Sequence, residues 1–177
     1  MLGRRVAIEE ENVAKEESFD VVSHVDMQEV DNAVQQASKE LVQRYDLKDT
    51  KSSIDLDKHA ATITLHAPSD FVLRQVIDVL NTKLIRRNID LKAISWGKEE
   101  AASGGTVRVS GKIVNGIDME IARKVNKDVR DEKFKVKVQI EGDKVRVFSP
   151  SRDELQRVIA FLKEKDYGIP LQFENYR

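Results

Sequence analysis

The chain has 177 residues, an apolar fraction of 40%, 30 Lys/Arg against 31 Asp/Glu, a formal net charge of −1 and no cysteine. Disulfides, thiolate zinc sites, Cys-held iron–sulfur clusters and a cysteine nucleophile are therefore excluded. No window approaches the roughly 18 apolar residues of a membrane span, and the near-neutral charge argues against a dedicated high-affinity DNA binder.

The opening "MLGRRVAIEEENVAKEE" runs from two arginines into acid, not into an apolar stretch. It does not read as a signal peptide, so a soluble, cytoplasmic protein is expected, with residues 1–17 as a flexible extension. "SFDVVSHV", residues 18–25, reads as a strand with Phe19 and Val21 on one face. Asp26 followed by Glu29 is a capping-box pattern, and Val30, Ala33, Val34, Ala37, Leu41 and Val42 continue at helical spacing. "KSSIDLD" (51–57) and "ATITLH" (61–66) predict a hairpin, and a second helix starts after Pro68 with Ser69 or Asp70 as cap. Phe71, Leu73, Val76, Ile77, Leu80 and Leu84 mark its expected inner face, and "IDLKAISW" (89–96) is the expected closing strand.

"GKEEAASGG" is small, polar and glycine-rich, the composition of a linker. The order then repeats. "TVRVSGKI" (106–113) is strand-like, and Ile117, Ile121, Val125 and Val129 share a helix face. "KFKVKVQIEGDKVRVFS" supplies a second hairpin, with Phe134, Val136, Val138 and Ile140 opposite Lys133, Lys135, Lys137 and Gln139. "PSDFVLRQVIDVL" (68–80) and "PSRDELQRVIAFL" (150–162) align at a constant offset, and "IPLQFENY" supplies the last strand. The reading is an α+β chain of two ferredoxin-like β-α-β-β-α-β domains from an internal duplication. Their boundaries are 18–97 and 106–177, joined by a linker at 98–105. Each antiparallel sheet would carry two helices on one face and leave the other available.

Charge differs between these halves: residues 18–97 hold 10 Lys/Arg and 12 Asp/Glu, whereas 106–177 hold 16 and 12. The second half is thus the expected phosphate-attracting part. Lys133, Lys135 and Lys137 form its basic strand face, extended by Lys144 and Arg146 on the returning strand and by Arg108 and Lys112 on the domain's first strand. A solvated sheet face needs charged residues in any case, so the same pattern also fits a purely structural role. Phe19, Trp96 and Phe173 are candidates for stacking on a base, Trp96 foremost because it ends a strand beside the linker; core or interface packing is the competing account. The three histidines, all in the first half, show no HxH or HExxH spacing, so no metal site is expected, and no phosphate-loop motif or catalytic constellation is present.

"SFDVVSHVDMQEVDNAVQQASKEL", "IVNGIDMEIARKVNKDVRD", "KVKVQIEGDKVRVFSPSRDELQRVI" and "IPLQFENY" together resemble the YajQ family of small bacterial proteins. The resemblance covers residues 18–177. It implies two ferredoxin-like domains whose first strands can be exchanged between the repeats, an alternative the sequence leaves open beside tandem domains. It further implies a non-enzymatic nucleotide-binding protein: an effector of cyclic di-GMP or a binder of GTP, without a further cofactor. Two alternatives stand beside it, an RNA-binding pair of modules and a scaffold whose protein partner belongs to transcription regulation.

Overall fold

The computed structural model describes residues 16–177; of the expected extension, residues 1–15 lie outside the described residues. Among the described residues, four α-helices and nine strands follow in the order β1 (Glu17–Val22), α1 (Met27–Gln43), β2 (Ser53–Asp57), β3 (Thr62–Ala67), α2 (Asp70–Arg86), β4 (Ile94–Trp96), β5 (Glu100–Ala101), β6 (Val107–Ile113), α3 (Met119–Asp131), β7 (Lys137–Glu141), β8 (Lys144–Ser149), α4 (Arg152–Lys163) and β9 (Gln172–Glu174). No helix among the described residues is long and apolar enough to cross a membrane.

The caps at Asp26 and Ser69 follow the sequence signals. The Asp26 carboxylate accepts from the Gln28 and Glu29 amides, Ser69 from Val72, Asp118 from Ile121 and Ser151 from Glu154. Val30, Ala33, Val34, Ala37 and Leu41 line the buried stripe of α1 and Leu73, Val76, Val79, Leu80 and Leu84 that of α2. Phe71 and Val42, expected inside, are exposed. Phe71 stands in the first turn of α2, outside that helix's buried stripe.

The two sheets depart from a simple tandem. One has the order β2-β3-β6-β4, with β5 also on β6; the other has the order β7-β8-β1-β9. Every pairing is antiparallel. Each sheet is a ferredoxin-like set in which the first strand comes from the other half of the chain. The compact units are accordingly Val25–Asn115 and, discontinuously, the segment ending at His24 with Gly116–Arg177. The contiguous division at 98–105 is replaced by two crossings, at 24–25 and 115–116. The expected linker is not free chain either, since Glu100 and Ala101 pair with Arg108 and Val107. The stretch at 89–96 holds a short 3-10 turn, Leu91–Ala93, capped by Asp90, and only its end is strand.

Each unit has its own core. α1 and α2 cover Ile63, Leu65, Val109 and Ile113 in one; α3 and α4 cover Phe19, Val21, Val145 and Val147 in the other. Period two along the strands sends the alternate residues to the face without helices. In the first unit that face carries Asp55, Thr64, His66, Arg108, Ser110 and Lys112; in the second, Asp20, Gln139, Lys144, Arg146 and Glu174.

Candidate nucleotide-binding surfaces

The eight basic and aromatic residues singled out by the sequence fall into different units and onto different faces. β6 pairs with β3, so Arg108 and Lys112 belong to the first sheet and do not join the lysines of β7, as the sequence order suggested. Both are exposed, on either side of Ser110, whose hydroxyl lies 3.2 Å from that of Thr64. Arg108 is held by Glu100 at 2.7 Å, while Lys112 has no ion-pair partner among the described residues. Trp96 sits on the opposite, helix-covered face of this sheet, half-buried over Gly111, where a Cβ would lie 2.7 Å from its ring. It is a packing residue, and nothing on the Arg108–Lys112 face stacks with it.

In the second unit Lys144 and Arg146 flank a buried acid. Asp20, 1% exposed, accepts from Arg146 Nε at 2.7 Å, from the Asn175 amide at 2.9 Å and from Lys144 Nζ at 3.4 Å. Glu141 takes the other side of Arg146 at 3.3 Å. Burial opposes ionisation of Asp20, but the Arg146 and Asn175 hydrogen bonds and the charges of Arg146 and Lys144 outweigh it and hold the carboxyl at about 2. These two cations are thus neutralised within the sheet. Lys133, with φ 58°, lies in the connection after α3. The expected strand begins only at Lys137, because the backbone of Lys135 is taken by side chains: its N–H donates to Glu154 and its carbonyl accepts from Ser149. Lys133, Lys135 and Lys137 are all exposed.

Phe19 offers no stacking face, and Phe173 is half-buried with Lys163 Nζ 6.0 Å from its ring centre. Phe19 is fully buried, 6.1 Å from the rings of Phe173 and Tyr176.

The concave feature that no sequence signal announced lies in the helical layer of the first unit. Glu29, Gln36, Lys39, Glu40 and Gln43 form one stripe of α1, at spacings that repeat the helix turn, on the side away from the core. Lys83 and Arg86 end α2, followed by Arg87 and by Asn88 in a left-handed conformation, φ 59°. Together these nine residues line a groove of about 900 Å³, at the upper end of the roughly 300–1,000 Å³ range of ligand sites. Glu40 meets Lys83 at 3.1 Å and Glu29 meets Arg87 at 3.0 Å, with Gln36 3.5 Å from the same guanidinium. Lys39 and Arg86 have no ion-pair partner among the described residues. Four cations against two carboxylates leave the groove with a formal charge of +2, and Gln36, Gln43 and Asn88 supply amides that both donate and accept. Cations in the last turn of α2 also suit its helix dipole, an ordinary structural reason for Lys83 and Arg86.

Comparison with known proteins agrees with this frame. The family described as "Nucleotide-binding protein YajQ-like" matches residues 17–177. A protein of Desulfitobacterium hafniense named "Nucleotide-binding protein" is 50% identical over 165 residues, 93% of this chain and 100% of the relative. One from Chloroherpeton thalassium with the same name is 48% identical over 160 residues, 90% of this chain and 97% of its own. A Bacillus cereus relative is 46% identical over 165 residues, 93% of this chain and all of its own length. The match spans both ferredoxin-like units and both crossings between them, and the chain therefore belongs to the YajQ-like family of nucleotide-binding proteins.

Proposed function

We propose that the α1–α2 groove is the nucleotide site, and that the protein binds its ligand without converting it, as an effector in cytoplasmic signalling. The observation that carries this reading is the pair of unengaged cations, Lys39 and Arg86, in a groove large enough for a mono- or dinucleotide. Phosphates would be met by Lys39, Arg86 and Arg87, and base edges by Gln36, Gln43 and Asn88. Cyclic di-GMP and GTP are the ligands to try first. Titration calorimetry at two salt concentrations tests the reading: Lys39→Ala with Arg86→Ala should weaken binding at least tenfold, since two charge-assisted contacts are lost. Ligand recovered after incubation should be chemically unchanged. Equal affinity of the double variant and the native chain would remove the groove from consideration.

One observation favours a second reading, RNA binding on the first unit's open sheet: Arg108, Ser110 and Lys112 stand exposed in a row on its central strand. It predicts that affinity rises with oligonucleotide length, and that Arg108→Ala with Lys112→Ala lowers the salt slope by roughly 2. A preference for mononucleotides would count against it.

A further inference from the structure

The second unit contains a separate cavity of about 480 Å³, lined by Glu17, Arg152, Leu155, Gln156, Tyr176 and Arg177. We propose that this cavity is a distinct site for a single nucleoside monophosphate. Its base would stack on Tyr176 over Leu155, and its phosphate would lie against Arg152 and Arg177.

Tyr176 carries the argument. The residue is 56% exposed, yet its ring is not loose: it lies 6.1 Å from the buried Phe19 ring with a tilt of 37°. The following residue is tied to the sheet by paired backbone hydrogen bonds between Ser18 and Arg177 of 3.2 and 3.1 Å. An aromatic face held in place and left open meets a base with little ordering cost, and stacking tolerates any base because each has a π-face. Arg152 is similarly poised. Its Nε donates to both oxygens of Glu17, at 3.0 and 2.9 Å, which fixes the guanidinium while it remains 83% exposed. The terminal amino groups stay available for a phosphate, the planar fork's favoured partner. Glu17 and Gln156 provide acceptors for an exocyclic amine. Two arginine side chains stand against one carboxylate side chain, and the cavity has about half the groove's volume. The smaller volume suits one phosphate and one ring better than a polyphosphate.

This site goes beyond the groove and does not depend on it, although it rests on the chain being a nucleotide binder. The probe is adenosine 5′-monophosphate, followed through backbone amide shifts and titration calorimetry on the full chain. The expected result is a set of shifts centred on Arg152, Gln156, Tyr176 and Arg177. Affinity should fall at least tenfold in Tyr176→Ala and in Arg152→Ala, and be kept or improved in Tyr176→Trp. Adenosine and ribose 5-phosphate, each lacking half of the recognition, should bind at least tenfold more weakly. The Lys39→Ala, Arg86→Ala variant should bind the probe as the native chain does. Shifts confined to the groove, unchanged affinity in Arg152→Ala and Tyr176→Ala, or no binding at all would overturn the proposal. Loss of larger nucleotides alone in the groove variant bears on the other site and leaves this one standing. Thermal unfolding of each variant separates lost recognition from lost fold, and Tyr176→Trp answers the question should Tyr176→Ala fail to fold.

Discussion

Asp20 shows how one residue couples a sheet face to pH. Its ordinary pKa of 3.8 falls to about 2 in the folded chain, so the folded state releases its proton more readily than the unfolded one. Its contribution is complete above pH 4 and disappears as pH falls from about 4 towards 2. Glu154 shifts in the same direction, first through the Lys135 N–H and then through Arg157, so acid lability has at least two sources. Asp20→Asn should cost about 1–3 kcal/mol at pH 7 and reduce, without abolishing, the loss of stability on acidification. Urea unfolding of both proteins between pH 2 and 6 checks this; parallel curves across that range would contradict it. Gly111 poses the opposite problem, space. A Cβ there would sit 2.6 Å from Ile94 Cγ2 and 2.7 Å from the Trp96 ring. Gly111→Ala should therefore destabilise by about 1–3 kcal/mol through overpacking, seen as a lower urea midpoint with a shifted Trp96 emission.

At the scale of elements, the helices were legible because their signals are local. Asp26 and Ser69 act as caps as their spacing implied, and the apolar stripes of α1 and α2 face the sheet apart from Val42 and Phe71. The groove was not legible for an equally physical reason. Glu29, Lys39 and Glu40 look like any solvated helix face until α2 is set beside them with Lys83, Arg86 and Arg87. On the basic strand, alternation correctly put Phe134, Val136, Val138 and Ile140 against the core, but it could not reveal that Asp20 would meet Lys144 and Arg146. Changing Lys135 and Lys137 together to Ala distinguishes the two elements. Both side chains are exposed, so stability should change by no more than about 0.5 kcal/mol. Nucleotide affinity should stay within twofold if the groove is the site, whereas a tenfold loss would return the site to the β7 face. Calorimetry with thermal unfolding decides between them.

At the scale of the whole molecule, the strand exchange makes a prediction about fragments. Residues 25–115 contain all the strands of their sheet, β2, β3, β6, β4 and β5, together with both covering helices. This fragment should fold cooperatively by itself. Residues 106–177 lack β1, the strand between β8 and β9 that brings Phe19 and Val21 to the core, and should not fold; 18–97 lacks β6 and should fail likewise. Circular dichroism and urea unfolding of the three fragments check this, and a cooperative transition in 106–177 would contradict the exchange. The exchange also dissolves the charge asymmetry of the linear halves. Counted by compact unit, Val25–Asn115 has 13 Lys/Arg and 13 Asp/Glu, and residues 16–24 with 116–177 have 14 and 15. Arg108 and Lys112 move out of the second half, while Glu16, Glu17 and Asp20 move in. What the sequence determined by itself was the class of fold, the order of the main elements, the caps at Asp26 and Ser69 and the inward faces of the strands, all set by neighbours a few residues apart. Which half supplies each sheet's central strand, where the cations converge and which of them an acid already holds depended on contacts between segments distant in the chain, such as Leu65 with Val109, Glu29 with Arg87 and Asp20 with Arg146. Strand periodicity fixes which face a side chain takes but not which strand lies alongside it, and that choice belonged to the tertiary structure.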